Sequence, residues 1–260
     1  MVYAHRGGAA LRPENTIAAF DHGLALGAHG LELDVRLTRD NEVVVHHDAT
    51  LERTTDGRGR VSAYTASDLA ALDAGFRFTP RDGAGDGSSP FRRQGIRIPT
   101  LAEVLGRYPG VPIIIELKED TERLAVRALE VVARADASAH VAMGSFGGGV
   151  LRAVRQRAPE MRTGAGREET RWALYRSWIG LPIGRPRYRE FQVPEVSGRT
   201  RVVSRRFIQY AHRAGVAVNV WTVDEAADIE RLLDWGVDGI ISDRPDVAVR
   251  VLSARATPRS

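Results

Sequence analysis

The chain of 260 residues contains no cysteine. That excludes disulfides, thiol nucleophiles and zinc–thiolate centres, so any metal must rest on oxygen or imidazole ligands. No apolar run approaches the roughly 18 residues needed to cross a bilayer. The first residues lack the basic region and apolar stretch of a secretory signal, and a cytoplasmic location is the expectation. No G-x-G-x-x-G turn follows a strand-like run, which argues against a dinucleotide-binding open sheet. Internal repeats and domain linkers are absent too. The net charge is +4 and the pI about 9.8, with arginine far ahead of lysine, yet the basic residues form no tight run. Dispersed charge of this kind is usually solvated surface, so no nucleic-acid partner is expected.

What is present is an ordinary globular composition, 43% hydrophobic and 27% charged, in a chain long enough to bury one large core. Short apolar runs alternate with helical patterns. The runs are Val2-Tyr3-Ala4, Leu31-Glu32-Leu33-Asp34-Val35, Val43-Val44-Val45, residues 111–117, Val141-Ala142-Met143, residues 216–220 and Gly239-Ile240-Ile241. Between them, Ile17, Phe20 and Leu24 keep helical spacing up to Gly27, with Asn15 or Thr16 as the cap. Leu124, Ala128, Leu129 and Val132 repeat the pattern, as do Phe207, Ile208 and Ala211. Asp224 is expected to cap a further run through Ile229, Leu232 and Leu233 that stops at Gly236. Strand–helix alternation points to a parallel α/β fold.

Polar residues follow most of the runs: His5-Arg6, Glu32 and Asp34, His47-Asp48, Glu116 and Lys118, Trp221-Thr222 and Ser242-Asp243. In a β/α barrel the carboxyl ends of the strands form the reactive face, which is where these residues would gather. Two stretches break the rhythm. Residues 77–95 are rich in Gly, Ser, Pro and Arg and are expected to form an exposed loop, inside an insertion of about 51–98. Residues 172–194 carry tryptophans, tyrosines, prolines and arginines without clean periodicity. The expectation there is an irregular connection with a half-buried aromatic face, rather than a lid.

Glu32-Leu33-Asp34 alternates polar and apolar, so a strand turns both carboxylates to one side. Unpaired inward carboxylates repel unless a cation binds them or one is protonated. A hard divalent ion with oxygen ligands, Mg²⁺ or Ca²⁺, resolves the conflict. Only seven residues, 36–42, separate this strand from Val43-Val44-Val45-His46-His47-Asp48, too few for a crossover helix. A hairpin turning at Asp40-Asn41 would set Asp34 opposite His47, and His46 and His47 must point to opposite sides. Ile113-Ile114-Ile115-Glu116-Leu117-Lys118 is a buried strand ending in Glu and Lys on one side.

In combination these residues resemble the glycerophosphodiester phosphodiesterase family. The words AHRGG…PENT, ELDVRLTRDNEVVVHHDATLERTTDGRGRV, IPTLAEVL, IIIELK and VNVWTVDEAADIERLLDWGVDGIISDRPD carry the likeness. It is thin between residues 145 and 192. Where family members tend to show Ser-Phe-Asp, this chain has Ser145-Phe146-Gly147, and Asp224 stands where Asn is usual. The resemblance implies a single (β/α)8 TIM barrel over residues 1–260, with a small subdomain inserted after the third strand. It implies metal-dependent hydrolysis of glycerophosphodiesters to glycerol 3-phosphate and an alcohol. Carried over by position, Glu32, Asp34 and Glu116 are metal ligands, His5 and His47 the acid–base pair, and Arg6 and Lys118 phosphate contacts. His5 is expected to deprotonate the nucleophile and His47 to protonate the leaving group. Trp221 and Phe146 are expected either to wall the site beside the glycerol or its alcohol, or to pack in the core. Two alternatives stand beside this reading. One is a barrel phospholipase of lysophospholipase D or phosphatidylinositol phospholipase C type, which would take a lysolipid and touch a bilayer peripherally. The other is a non-catalytic phosphate-binding barrel.

Overall fold

The computed structural model describes residues 1–80 and 89–256. The first half runs β1 (Val2–His5), α1 (Ile17–Ala25), β2 (Gly30–Leu37), β3 (Val43–Val45), α2 (Ala66–Ala70), α3 (Leu101–Arg107) and β4 (Ile113–Leu117). It continues through α4 (Glu122–Arg134), β5 (Val141–Gly144), α5 (Gly148–Arg157), β6 (Arg162–Thr163), α6 (Arg167–Ile179) and β7 (Glu190–Pro194). A small hairpin of β8 (Val196–Ser197) and β9 (Thr200–Arg201) precedes α7 (Arg205–Arg213), β10 (Ala217–Trp221), α8 (Ala226–Trp235), β11 (Gly239–Ser242) and α9 (Pro245–Ala256).

Eight strands pair in the order β6-β5-β4-β2-β1-β11-β10-β7, every neighbour parallel. A parallel bridge between Gly164 and Glu190 closes the ring, with the Ala165 N–H donating to the Glu190 carbonyl at 2.9 Å. The result is a (β/α)8 barrel. The strands are mostly apolar on their outer side, where Leu31, Leu33, Ile113, Ile115, Phe191 and Val218 meet the helices in one continuous core. On the inner side Tyr3, Ile114 and Ile241 fill the middle of the lumen. Below them Glu190 is buried, accepting hydrogen bonds from Gln192 at 2.6 Å and Asn219 at 2.9 Å.

Most of the helices start where a side chain can take over an orphan N–H. Thr16, Thr65, Thr100, Thr121 and Ser204 each cap one, and Thr65 and Thr100 close capping boxes with Asp68 and Glu103. The cap of α1 is thus Thr16 and not Asn15. Asp224 does not cap α8, whose N-cap is Glu225.

Val43–Val45 is not a barrel stave. It pairs antiparallel with β2, Val35 against Val45 and Leu37 against Val43, so the residues that follow it lie between the second and third staves. Here Val44, Leu51, Val61, Leu69, Ala74 and Ile98 form a small apolar cluster of their own. Of the loop expected at 77–95, residues 81–88 lie outside the described residues; its flanks at 77–80 and 89–95 carry no helix or strand.

The irregular connection expected at 172–194 is overturned. Residues Arg167–Ile179 form a 13-residue helix and Glu190–Pro194 a barrel strand. The periodicity was hidden because α6 is apolar on both sides. Ala173, Leu174 and Ser177 face the barrel, while Trp172, Tyr175, Trp178 and Ile179 face outward. Where both faces are apolar, the contrast that reveals a helix in sequence disappears. Among the described residues, no helix is long and apolar enough to cross a membrane.

Candidate active site

Parallel register builds the site. His5 of β1 lies beside Glu32 of β2, and Asp34 of β2 beside Glu116 of β4. All four side chains therefore leave the sheet on its inner face at the carboxyl end of the strands. One ligand oxygen from each of Glu32, Asp34 and Glu116 falls within 4.8 Å of the other two. Glu32 and Asp34 are buried and Glu116 nearly so. Burial and the neighbouring Asp34 push the Glu32 carboxyl up to about 8, and burial raises Glu116 as well. Burial acts the same way on Asp34, but Arg6 and Lys118 outweigh it and hold that carboxyl below its ordinary value. The Asp34 Oδ1 atom is buried and makes no hydrogen bond, with the Lys118 ammonium 3.3 Å away. A carboxylate oxygen with lone pairs to spare between two further carboxylates suits a hard divalent cation, which accepts several oxygen ligands at once.

The backbone after β1 is shaped for this cluster. Arg6 sits in the left-handed region with φ +50°, followed by Gly7 at +87° and Gly8 at +100°. A side chain on Gly7 would come within 2.6 Å of Ala19, so only glycine lets α1 lie this close. The strained Arg6 is held from three directions. Its N–H donates to Glu32 Oε2 at 3.2 Å, its Nη1 to Glu14 Oε1 at 2.8 Å, and its Nε lies 3.0 Å from Asp34 Oδ2. Lys118 Nζ stands 3.3 Å from both Asp34 and Glu116. It is the only lysine in the chain, against 36 arginines. Its ammonium acts as a compact point charge shared by the two carboxylates.

Each histidine is backed by a carboxylate. His5 Nδ1 lies 2.6 Å from Asp243 Oδ1, leaving Nε2 toward Glu32 at 3.7 Å. Asp243 is steadied in turn by Asp224, which accepts from the Asp243 N–H and from the Ser242 hydroxyl, both at 2.8 Å. His47 Nδ1 lies 2.6 Å from Asp48, and Asp48 belongs to a chain of ion pairs through Arg53 and Glu14 to Arg6. Burial lowers His47. Burial would lower His5 too, but the attraction of Glu32 and the hydrogen bond to Asp243 leave its imidazole above the ordinary value.

The expected pairing of Asp34 with His47 is off by one residue. Asp34 faces His46, whose N–H donates to the Asp34 carbonyl at 2.9 Å. Five residues turn the hairpin, which is therefore centred on Asp40 with Asn41 left-handed at φ +62°; an odd number of turn residues, in place of the two expected at Asp40-Asn41, shifts the register by one. The two histidines do part company as alternation demands. His46 is buried, with Nε2 3.2 Å from the Thr50 carbonyl, while His47 opens onto the cavity.

That cavity has a volume of about 720 Å³ and is lined at its polar end by His5, Arg6, Glu32, His47, Glu116 and Lys118. Phe146 and Trp221 form its wall, their rings edge to face at 5.9 Å. Phe146 is 46% exposed, which sets it at the mouth and not in the core. Lys118 Nζ lies 5.9 Å from the Phe146 centroid and Arg167 Cζ 5.4 Å from it. The sequence reading missed Arg167, Arg171 and Asn15. Asn15, left-handed at φ +58°, donates to Asp34 Oδ2 at 2.8 Å and accepts the Asp34 N–H at 3.2 Å, orienting the carboxylate. The signal was its place in Pro-Glu-Asn-Thr beside the cap; two adjacent polar residues could not be told apart without the turn.

The departure at Gly147 has a local reason. A side chain there would meet the Asp120 carboxylate at 2.5 Å, and that carboxylate accepts the Val150 N–H at 2.6 Å near the start of α5. Asp120 supplies from another loop the negative charge that an aspartate at 147 would bring.

Comparison with known proteins agrees with the geometry. Residues 5–247 match the family model described as the glycerophosphoryl diester phosphodiesterase family. The chain belongs to that family. A glycerophosphodiester phosphodiesterase of Caldanaerobacter subterraneus subsp. tengcongensis is 32% identical over 261 residues, covering 97% of each chain. One from Bacillus altitudinis is 31% identical over 257 residues, covering 96% of this chain and 97% of its own. The crystal structure of a glycerophosphodiester phosphodiesterase from Agrobacterium tumefaciens superimposes with a TM-score of 0.77 at 27% identity, over 97% of this chain and 98% of that one. Within the family's barrel, His5, Glu32, His47, Glu116 and Lys118 converge here on one cavity, with Asp34 buried behind Lys118 at 3.3 Å.

Proposed function

We propose that this protein hydrolyses glycerophosphodiesters to glycerol 3-phosphate and an alcohol, with one divalent cation, Mg²⁺ or Ca²⁺, on Glu32, Asp34 and Glu116. The observation that carries the reading is the packing of three carboxylates within 4.8 Å, at the head of a cavity onto which two carboxylate-backed imidazoles open. The cation, when bound, supplies Lewis-acid polarisation of a phosphoryl oxygen. Arg6 and Lys118 offset the charge that spreads over the phosphoryl oxygens during displacement. His5 takes the proton of the attacking hydroxyl at Nε2, its Nδ1 being held by Asp243. His47 returns a proton to the leaving alkoxide, with Asp48 stabilising its imidazolium. The attraction of Glu32 and the hydrogen bond to Asp243 together hold His5 above its ordinary value. A cation on Glu32 would weaken that part of the attraction and so favour the neutral imidazole a base requires, while an anionic substrate would favour the imidazolium of His47. On this reading residues 51–98 are an insertion into a single domain spanning 1–260.

Glycerophosphocholine should release glycerol 3-phosphate, EDTA should stop the release, and Mg²⁺ or Ca²⁺ should restore it. His5→Ala and His47→Ala should each lower kcat by about 10²–10⁴-fold, with little change in Tm. Activity untouched by EDTA would remove the cation from the proposal. Wild-type turnover in either histidine variant would remove the acid–base pair. A second reading, hydrolysis of a lysolipid, is supported by Leu174 and Tyr175 in the cavity wall.

A further inference from the structure

The outer face of α6 is largely exposed and apolar. Trp172 is 63% exposed, Ile179 70%, and Tyr175, Trp178 and Leu181 between 44% and 48%. The Trp172 and Tyr175 rings meet edge to face at 6.4 Å, and Tyr175 and Trp178 at 5.3 Å. The patch is therefore continuous. Among the described residues, three other large hydrophobics are comparably exposed: Met1, Phe146 and Val196.

The surrounding charge is predominantly positive. Residues 170–189 include five arginines, Arg171, Arg176, Arg185, Arg187 and Arg189, and no aspartate or glutamate. All five are exposed. Arg206 of α7 joins them, donating to the Trp178 carbonyl at 2.8 Å. The exposed carboxylate of α6, Glu168, lies a turn earlier, and Glu169 is paired with Arg155 at 2.7 Å. Tryptophan and tyrosine rings favour the headgroup level of a bilayer, isoleucine and leucine the acyl boundary, and arginine the phosphates of anionic lipid. An outward apolar stripe flanked by six exposed arginines, against the single exposed carboxylate of Glu168 at its start, matches such a surface in both polarity and charge.

We propose that α6 and the segment 180–189 dock on an anionic bilayer. Arg171, Leu174 and Tyr175 of this helix also line the catalytic cavity, so docking turns its mouth to the headgroups. The substrate class this favours is a lysophospholipid, a glycerophosphodiester with one acyl chain. That last step rests on the catalytic reading above; the docking itself does not.

The test is cosedimentation of the full chain at low salt with phosphatidylcholine vesicles containing about one-third phosphatidylglycerol, beside pure phosphatidylcholine vesicles. The protein should pellet with the anionic vesicles only and leave them at high salt. The W172S/W178S/I179S variant should bind at least about tenfold more weakly. Its turnover of lysophosphatidylglycerol in vesicles should fall in parallel, and that of soluble glycerophosphocholine should hold. Wild-type protein left in the supernatant overturns the proposal, as does a triple variant that pellets like wild type. So does light scattering that shows a wild-type dimer converted to monomer by the variant, because a second copy would then cover the face. Vesicle binding with no glycerol 3-phosphate from glycerophosphocholine would uphold docking and overturn the catalytic reading alone.

Discussion

Arg6 shows how one residue can serve as both hinge and electrostatic support. Its left-handed backbone costs about 1 kcal/mol or more for a residue with a side chain, and it persists because Glu14, Glu32 and Asp34 hold it. Glu14 is the outermost of these, bridging Arg6 to Arg53. Burial would raise its carboxyl, but the hydrogen bond from Arg53 and the charge of Arg6 bring it down to about 2. A carboxyl depressed in the folded state stabilises the protein fully above its unfolded value, and that stability is lost as pH falls through the folded value. Glu14→Gln should therefore cost about 1–3 kcal/mol at neutral pH. The Tm difference from wild type should shrink between pH 4.5 and about 2. A difference that stays constant over that range would show that the bridge contributes through packing alone.

At the scale of elements, strand ends place the chemistry and helix starts frame it. The start of α5 illustrates how a substitution in one loop is answered from another. Gly147 leaves room for Asp120, which accepts the Val150 N–H. Gly147→Asp should destabilise the protein by about 1–3 kcal/mol, through overlap and like charge. Pairing it with Asp120→Ala should recover most of that loss, since an aspartate at the N-cap position can serve the helix itself. Denaturant melts of the two single variants and the double variant measure the coupling. Additive losses would mean that the two positions do not share this space. The same scale explains why α6 escaped detection. Helical periodicity is a contrast between faces, and a helix with aromatic rings on its free side has little contrast to show.

For the whole molecule, the barrel gathers three carboxylates in its interior beside Arg6 and Lys118, and on the reading proposed here a cation would relieve their mutual repulsion. Glu32, raised to about 8 by burial and by Asp34, is the clearest mark of it. Adding Mg²⁺ or Ca²⁺ should raise Tm by several degrees, because a ligand bound only by the folded state stabilises by about 2.7 kcal/mol at a hundredfold excess over Kd. Glu32→Gln should raise the Tm of EDTA-treated protein and abolish the rise on adding cation. A variant that melts below wild type in EDTA would show that Glu32 is structural.

Local pattern alone was enough for the alternation of strands and helices, the strands of the first half and the last two staves, and the residues that end them. Periods of 2 and 3.6 are local properties, and Glu32-x-Asp34 or Glu116-x-Lys118 must share a face once their segments are strands. It also showed that His46 and His47 diverge. Only the tertiary structure decided the register that sets His5 beside Glu32 and Asp34 beside Glu116. The same holds for the one-residue shift of the β2–β3 hairpin, the choice of Asn15 to orient Asp34, and the arginines that α6 brings to the cavity. Those are relations between segments far apart in the chain. They are fixed by side-chain packing and hydrogen bonds that form only when the barrel closes.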